Sequence, residues 1–448
     1  MVKSIGFILG SLLLAGCSTV GVIKNEQKAK APSEQSYSLA EVTAARSNGD
    51  MGLVLAFSGG GTRAAALAYG VLQELRDTQV MADGRQRRML DEIDAISSVS
   101  GGSFTSAYYG LYGDAIFEDF EAVFLKRDIQ SQLVRGLFNP LRWFGTVGRT
   151  EMAIDLYERE IFHGKTFGDM RTKGGPLILI NASDLVYGVR FSFVQGYFNF
   201  LCSDLGSFSV ARAVAASSAV PVLFDPVVVQ NYPGCEAANE RVMRLFENAA
   251  RGNPEIDEVI DGLMTYKEKE RRVYAHFVDG GITDNLGLRA IYEAFEATGG
   301  VKAYMQRYGH TPPRRLVVIS IDASTSPESD MEGSANRPSL KEIVDSISSV
   351  QLHRYNSATL ELMDRTIKKW AGELSSPQHP VEPYFVKIGF GDIEQAEMRA
   401  YFDGIPTSFR LTDEQVENLI TAGRELLRSN PEFQRLLAGT RGDMGAAR

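Results

Sequence analysis

Two short apolar stretches, each running into a turn of small residues, constrain the fold of this chain more than any other feature. Residues 53–57 are followed by Ser-Gly-Gly-Gly at 58–61, and residues 93–99 are followed by Ser-Gly-Gly at 100–102. A helical pattern of apolar residues starts directly after each turn. A buried strand that turns sharply into a helix is typical of α/β proteins. The two stretches therefore predict strands of a sheet that is covered by helices.

The same alternation continues along most of the remaining chain. Further strands are predicted at residues 177–180, 191–194, 273–278, 316–321 and 384–388, and helices at residues 62–76, 101–112, 286–297, 340–369 and 413–428. The run Leu-Val-Val-Ile-Ser-Ile at 316–321 is typical of a parallel strand buried on both faces. We expect an α/β domain at 50–325, with a mostly parallel central sheet and helices on both faces. A mainly helical C-terminal extension packed on this domain is expected at 326–448.

The N-terminus has the features of a targeting segment. An apolar stretch of about ten residues follows Lys3, whereas a helix that spans a bilayer needs about 20. It ends in Leu-Ala-Gly-Cys at 14–17, which resembles the lipobox of bacterial lipoproteins. The resemblance implies a signal peptide at 1–16, lipidation of Cys17 and an outer-membrane anchor; an ordinary secretory signal is the alternative. The polar segment 17–49 is expected to be a flexible tether with a reach of roughly 30 Å.

Composition argues against two classes of function. The formal net charge of −9 argues against nucleic-acid binding, because the chain has no excess of cations to neutralise phosphates. The five histidines and three cysteines show no spacing typical of a zinc site, so we expect no bound metal. Cys202 and Cys235 are the cysteines beyond the leader. In an exported protein they form either a disulfide bond or two separate buried thiols, and the sequence favours neither.

The turn at 98–102 has the features of a nucleophile elbow. A serine hydroxyl is a poor nucleophile until a base takes its proton, and a sharp strand-to-helix turn with small neighbours presents it best. Ser100 has Gly102 two residues after it, but Ser98 rather than glycine two residues before it. We predict Ser100 as the nucleophile. The alternative is a turn of small residues that only caps a helix.

The glycine loop at 59–61 is a candidate site for a negative charge. It follows a strand and opens a helix, where free N–H groups and the helix dipole favour an anion. The sequence lacks the Gly-Lys-Ser/Thr of a P-loop and the spacing of a dinucleotide site. We predict that Gly59, Gly60, Gly61 and Gly101 form an oxyanion hole. Arg63 is predicted to bind an anionic head group or to orient the loop, with a structural ion pair as the alternative.

The candidate base is Asp279, which ends an apolar run and precedes Gly280 and Gly281. A carboxylate in this position can reach a nucleophile at the end of a neighbouring strand. By itself Asp-Gly-Gly is also a common turn, so the motif needs support from the others. His276 lies three residues before Asp279 and would point to the other face of the strand.

Taken together, the motifs resemble those of the patatin-like phospholipase family. Four segments resemble, in family order, its oxyanion loop, its nucleophile elbow, its third sequence block and its Asp-Gly-Gly motif: 58–63, 98–102, 216–226 and 279–281. Ser58 stands where many members have aspartate, and Ser98 departs from the first glycine of the elbow. The resemblance covers residues 53–323.

This resemblance implies a patatin-like three-layer sandwich and a Ser100–Asp279 dyad in place of a triad. The implied activity is hydrolysis of fatty-acyl esters of phospholipids or lysophospholipids through an acyl-serine, without a cofactor. The membrane would supply the substrate and hold the lipid anchor. The alternatives are a non-phospholipid esterase, thioesterase or acyltransferase, a catalytically silent outer-membrane lipoprotein, and an anion-binding module. The sequence does not predict an oligomeric state.

Overall fold

A mixed central sheet with helices on both faces forms the centre of the molecule. The computed structural model describes residues 21–28, 37–38, 41, 50–82, 84–137, 148–221, 223–235, 252–326, 333, 335 and 337–446. The strands are β1 Glu26–Gln27, β2 Met51–Phe57, β3 Gln79–Ala82, β4 Arg85–Arg88, β5 Ile93–Val99, β6 Leu177–Asp184, β7 Arg190–Ser192, β8 Ser203–Asp204, β9 Val227–Gln230, β10 Tyr274–Asp279, β11 Arg315–Asp322 and β12 Glu382–Gly389. The helices are α1 Gly61–Asp77, α2 Gly101–Tyr112, α3 Ile116–Phe120, α4 Ile129–Leu137, α5 Arg149–Tyr157, α6 Phe167–Lys173, α7 Gln195–Phe200, α8 Val210–Ser217, α9 Pro254–Met264, α10 Gly281–Asp284, α11 Leu288–Glu296, α12 Val301–Tyr308, α13 Leu340–Leu374, α14 Ala396–Asp403, α15 Asp413–Ser429 and α16 Pro431–Ala446.

The sheet order is β12-β11-β2-β5-β6-β10-β9, with β7 paired to β6. The five strands from β12 to β6 are parallel, whereas β10 pairs antiparallel with β6, and β9 pairs antiparallel with β10. In the register, Val99 lies opposite Asn181, and Asp279 lies opposite Ala182. The residue after β5 and the last residue of β10 therefore lie at the same level. The predicted α/β fold with a mostly parallel sheet is confirmed.

Strand β6 extends four residues beyond the predicted end at 180, through Asn181, Ala182, Ser183 and Asp184. Polar residues are costly in a buried strand unless their side chains are hydrogen-bonded. Here Asn181 donates to Ser97 Oγ at 2.9 Å, and Ser183 Oγ donates to the Asp279 carbonyl at 2.8 Å. These long-range partners make the extension possible.

The N-terminal segment is not the free tether that we expected. Strand β1 pairs with β8, and the Asn25 side chain donates to Ser203 Oγ at 3.0 Å and to the Gln230 carbonyl at 2.9 Å. Tyr37 is buried, and its hydroxyl accepts a hydrogen bond from the Ile178 N–H at 2.7 Å. The tether prediction is wrong for these described residues, because their side chains find partners on the domain. The signal peptide and Cys17 lie outside the described residues.

Cys202 and Cys235 form a disulfide bond, with Cα atoms 5.4 Å apart. Of the two arrangements that the sequence left open, the structure has the bonded one. The Lys28 N–H donates to the Cys202 carbonyl at 2.9 Å, so the N-terminal segment and the disulfide lie together.

The C-terminal extension is not separate from the domain that precedes it. Its strand β12 pairs with β11 along eight residues and continues the central sheet. Helix α15 packs closely on α1, since a Cβ added at Gly70 would lie 2.1 Å from the Ile420 carbonyl oxygen, and one added at Gly423 would lie 2.3 Å from that of Leu67. The boundary that we placed at 325 therefore does not divide the structure into independent units.

Candidate active site

A strained turn presents Ser100 between β5 and α2. Its backbone has φ 49° and ψ −120°, a conformation that residues other than glycine rarely adopt. The small neighbours are required by close packing: a Cβ at Gly101 would lie 2.0 Å from the Gly61 carbonyl oxygen, and one at Gly102 would lie 2.7 Å from that of Ser58. Sharp turns of this kind place a nucleophile clear of the backbone.

Ser98 stands where the elbow usually has its first glycine, and its side-chain hydroxyl is hydrogen-bonded. Its side chain is fully buried, its Oγ lies 2.6 Å from Ser106 Oγ, and it also donates to the Leu179 carbonyl at 3.3 Å. Because the hydroxyl is paired, the departure from glycine does not prevent the turn.

The structure brings Ser100 and Asp279 together. Ser100 Oγ donates a hydrogen bond to Asp279 Oδ2 at 2.9 Å, and the other carboxylate oxygen accepts from the Gly281 N–H at 2.7 Å. Burial raises the pKa of Asp279 to about 6, although both hydrogen bonds act in the opposite direction. The carboxylate is therefore a stronger base than an exposed aspartate, yet it is largely ionised at pH 7.

Residues 217–219, at the C-terminal end of α8, hold both catalytic candidates in place. Ser217 Oγ accepts a hydrogen bond from the Ser100 N–H at 2.9 Å and donates to the Asn181 carbonyl at 2.6 Å. The Ser217 carbonyl accepts from the Gly280 N–H at 3.0 Å, and the Ala219 carbonyl accepts from the Asp279 N–H at 3.0 Å. The third sequence block thus supports the elbow and the acidic turn at once. No separate role for Ser217 was predicted from the sequence.

The glycine loop lies over the elbow, and only part of it is free to bind an oxyanion. The Gly59 N–H donates to the Asn285 carbonyl at 3.0 Å, so the prediction of Gly59 as an oxyanion donor is wrong. Among the described residues, the N–H groups of Gly60, Gly61 and Gly101 have no hydrogen-bond acceptor within the protein. A Cβ at Gly101 would lie 2.6 Å from Gly61 N, which shows how closely the loop approaches the start of α2.

Arg63 does not line an open head-group site. Its side chain is buried and donates to the carbonyls of Ala323 at 2.9 Å and Ile405 at 2.5 Å, and to Thr407 Oγ1 at 3.0 Å. The prediction of Arg63 as a substrate-binding residue is therefore wrong, because its guanidinium donors already hold the segments after β11 and α14. Its other predicted role, orienting the loop, agrees with these contacts.

Two further residues shape the loop, and the sequence offered no signal for either role. Ser58 Oγ accepts from the Ala323 N–H at 2.8 Å and donates to the Gly59 carbonyl at 3.1 Å, which ties the loop to the end of β11. Asn285 accepts the Gly59 N–H, and its side chain donates to Ser324 Oγ at 3.1 Å. Asn285 thus links the glycine loop to the segment that follows Asp279.

Comparison with known proteins gives one family match and distant similarity to solved structures. A family model for patatin-like phospholipase matches residues 55–292. Comparison with curated proteins gives no match. Among solved structures, human GIVD cytosolic phospholipase A2 is similar to this chain with a TM-score of 0.43 and 11% identity, over 87% of this chain and 62% of that chain. The same human protein in complex with methyl gamma-linolenyl fluorophosphonate gives a TM-score of 0.39 and 13% identity, over 88% and 60%. The match spans about three fifths of the human chain.

Proposed function

The chain belongs to the patatin-like phospholipase family, and from this premise we propose that it hydrolyses fatty-acyl esters of phospholipids or lysophospholipids with a Ser100–Asp279 dyad. One observation carries the proposal: the 2.9 Å hydrogen bond from Ser100 Oγ to the buried carboxylate of Asp279 at the end of β10, which is separated from β5 by β6. Hydrogen-bond contact between a hydroxyl and a base is the first requirement for a serine nucleophile.

Acylation begins when Asp279 takes the proton from Ser100 Oγ and the oxygen attacks the ester carbonyl carbon. The carbonyl oxygen gains negative charge, which the free N–H groups of Gly60, Gly61 and Gly101 stabilise. The bond to the leaving alcohol then breaks, and Asp279 gives its proton to that oxygen. The products are an acyl-Ser100 and the released lysolipid or glycerol derivative.

Deacylation repeats the same steps with water. Asp279 removes a proton from the water, the hydroxide attacks the acyl carbon, and the same amides stabilise the second oxyanion. The bond to Ser100 Oγ breaks, and Asp279 returns the proton to the serine. Each group ends in its starting state, so the dyad completes the cycle with no other proton carrier.

A fluorophosphonate probe tests this proposal directly, because it forms a stable adduct only with an activated serine. We expect the adduct on Ser100 in the folded protein, and no adduct after Ser100→Ala. Ser98→Ala is the matched control, since the Ser98 hydroxyl lies in the same turn but is bonded to Ser106. Absence of the adduct on folded parent protein would show that the scaffold is catalytically silent.

A substrate panel tests the acyl class. Purified protein is assayed on diacyl phospholipids, lysophospholipids, acyl thioesters and short p-nitrophenyl esters, with release of fatty acid measured. We expect the highest kcat/KM on phospholipid or lysophospholipid. A preference for thioesters or soluble short esters would instead support the non-phospholipid alternatives.

We also propose that Cys17 carries the lipid anchor in the outer membrane. The support is the Leu-Ala-Gly-Cys sequence at 14–17, which lies outside the described residues. In the part of the chain that the structure describes, no helix combines the length and apolar character needed to cross a membrane.

A further inference from the structure

Several exposed apolar side chains of the described residues lie at the edge of the sheet that carries Ser100. They include Leu185 and Val186 after β6, Tyr274 at the start of β10, and Ile282 after the Asp-Gly-Gly turn. Tyr308, which precedes β11, lies at the opposite edge. Exposed apolar residues concentrated on one face mark an interaction surface.

The first apolar projection is the turn between β6 and β7. Leu185 and Val186 are 53% and 64% exposed. The Leu185 N–H donates to the His276 carbonyl at 2.9 Å, and His276 lies three residues before Asp279 on β10. At about 3.3 Å per residue, this turn stands roughly 10 Å beyond the level of the dyad.

The second apolar projection is the first half of α13. The Asn356 side chain donates to Ser324 Oγ at 3.0 Å, just beyond the end of β11, so the helix passes the carboxyl edge of the sheet there. From this point it descends along the sheet to residue 374, shortly before β12 starts at the opposite edge. Residues 340–355 precede this contact and span about 24 Å of helix at 1.5 Å per residue, so they continue beyond the site edge.

This projecting half of α13 presents an apolar stripe. Ile343, Ile347 and Val350 are spaced as neighbours on one helix face, and they are 40%, 58% and 54% exposed. Ile282, which is 55% exposed, follows the Asp-Gly-Gly turn at the level of the dyad. We call these side chains together the apolar rim: Leu185, Val186, Ile282, Ile343, Ile347 and Val350.

We propose that the apolar rim docks the site edge on a lipid bilayer, so that Ser100 faces the membrane that supplies its substrate. The choice of a lipid partner rests on the proposed function. A bilayer fits this surface because the apolar residues project from separate elements and do not line one groove. A fluid hydrocarbon surface accepts separate insertions, whereas a protein partner needs a continuous complementary face.

The position of the N-terminal segment supports this orientation. Gly21 packs against Val228 of β9, and Val228 pairs with His276. Only residues 18–20 lie between Gly21 and Cys17, and four extended residue steps span at most about 14 Å. A lipid on Cys17 would therefore hold the edge that carries the apolar rim within a short distance of the bilayer.

Site-specific fluorescence tests which edge meets the bilayer. The full chain carries Ser100→Ala, so that vesicles of phosphatidylethanolamine and phosphatidylglycerol stay intact, and an NBD dye on Val186→Cys or Ile347→Cys. Tyr308→Cys is the matched control, because Tyr308 is 41% exposed at the opposite edge. On addition of vesicles, we expect the emission of NBD at 186 and 347 to shift to the blue and become stronger, and we expect spin-labelled lipids to quench it. The emission of NBD at 308 should not change.

Several results would overturn the proposal. Unchanged emission at 186 and 347 on vesicle-bound protein would show that the rim does not enter the bilayer. Equal changes at all three positions would show adsorption without a preferred face. A change without vesicles that grows with protein concentration would assign the rim to a second copy of the chain.

An activity ratio provides the second readout. The ratio is turnover on vesicles divided by turnover on a soluble short-chain ester. It is measured for the parent protein, for the double variant Val186→Glu/Ile347→Glu, and for the control Tyr308→Glu. We expect the ratio to fall at least about tenfold in the double variant, and to stay unchanged in the control. An unchanged ratio in the double variant would contradict docking. If the parent hydrolyses no ester at all, the proposed function fails, while the fluorescence experiment still decides the docking proposal.

Discussion

Replacing Asp279 with asparagine separates the chemical role of its carboxylate from its structural role. Asparagine has the same shape, and its side-chain oxygen can still accept the Gly281 N–H, which now bonds Asp279 Oδ1 at 2.7 Å. It cannot take the proton from Ser100 Oγ. General-base catalysis contributes about 10²- to 10⁴-fold, so we expect kcat to fall on the order of 10³-fold.

The same substitution is expected to make the fold more stable. Burial raises the pKa of Asp279 from 3.8 to about 6, so the folded state prefers the protonated acid. A shift of roughly two units corresponds to about 3 kcal/mol that the folded protein loses as the pH rises from 3.8 through 6. Asparagine carries no such cost. Near neutral pH the Asp279→Asn variant should therefore have a higher Tm than the parent, and this difference should disappear at low pH.

The assay is fatty-acid release from a lysophospholipid as a function of pH, together with thermal unfolding followed by circular dichroism. Only the ionised carboxylate accepts the serine proton, so kcat/KM of the parent should rise with pH through about 6 and then level off. Asp284→Asn is the control: this buried carboxyl has a pKa raised by burial to about 7, but it accepts the Ala290 N–H at 3.0 Å. We expect Asp284→Asn to keep the pH profile. Near-normal turnover of Asp279→Asn, or a profile that moves with Asp284 instead, would refute the reasoning.

Four further predictions address the loop, the disulfide and the anchor. Gly101→Ala should abolish fluorophosphonate labelling of folded protein, since its Cβ would lie 2.0 Å from the Gly61 carbonyl oxygen; normal labelling would contradict this. Arg63→Lys should lower Tm with little change in KM between anionic and zwitterionic lipids, because its contacts are internal; a large head-group-dependent change would restore the binding role. Cys202→Ser should cost about 2–4 kcal/mol of unfolding free energy and make Tm insensitive to reductant. Cys17→Ser should abolish incorporation of labelled palmitate and make membrane association reversible, and persistent labelling would exclude this site.

Local sequence patterns were sufficient for the elements that contain the motifs. Strand β5 and helix α2 have the predicted bounds, because a short apolar run and an apolar helical face leave few alternatives on either side of a Ser-Gly-Gly turn. The meeting of Ser100 and Asp279 depends on register and not only on their positions at strand ends. Because β10 runs antiparallel to β5 and β6, its last residue lies level with Ser100 only because β10 starts beyond the carboxyl edge of the sheet and pairs with β6 from Phe277 to Asp279.

The errors have a common physical cause, which is the dependence of a polar group on partners far away in sequence. Gly59 looked equivalent to Gly60 and Gly61, but its N–H is occupied by a carbonyl 226 positions later, that of Asn285. Arg63 was predicted to bind a ligand, but its guanidinium donates hydrogen bonds to residues 323, 405 and 407. No local pattern reports which carbonyl will lie opposite a given donor.

During synthesis, the glycine loop gains its contacts with the C-terminal region only after both residues of the dyad have been made. The Thr62 N–H donates to the Ser408 carbonyl at 2.9 Å, and Arg63 binds the Ile405 carbonyl. A ribosome has already made both members of the dyad once it has passed residue 279. The groups that fix the loop above them are made some 130 residues later. A nascent or prematurely terminated chain therefore carries its nucleophile and base without the support that gives the amide cradle its shape.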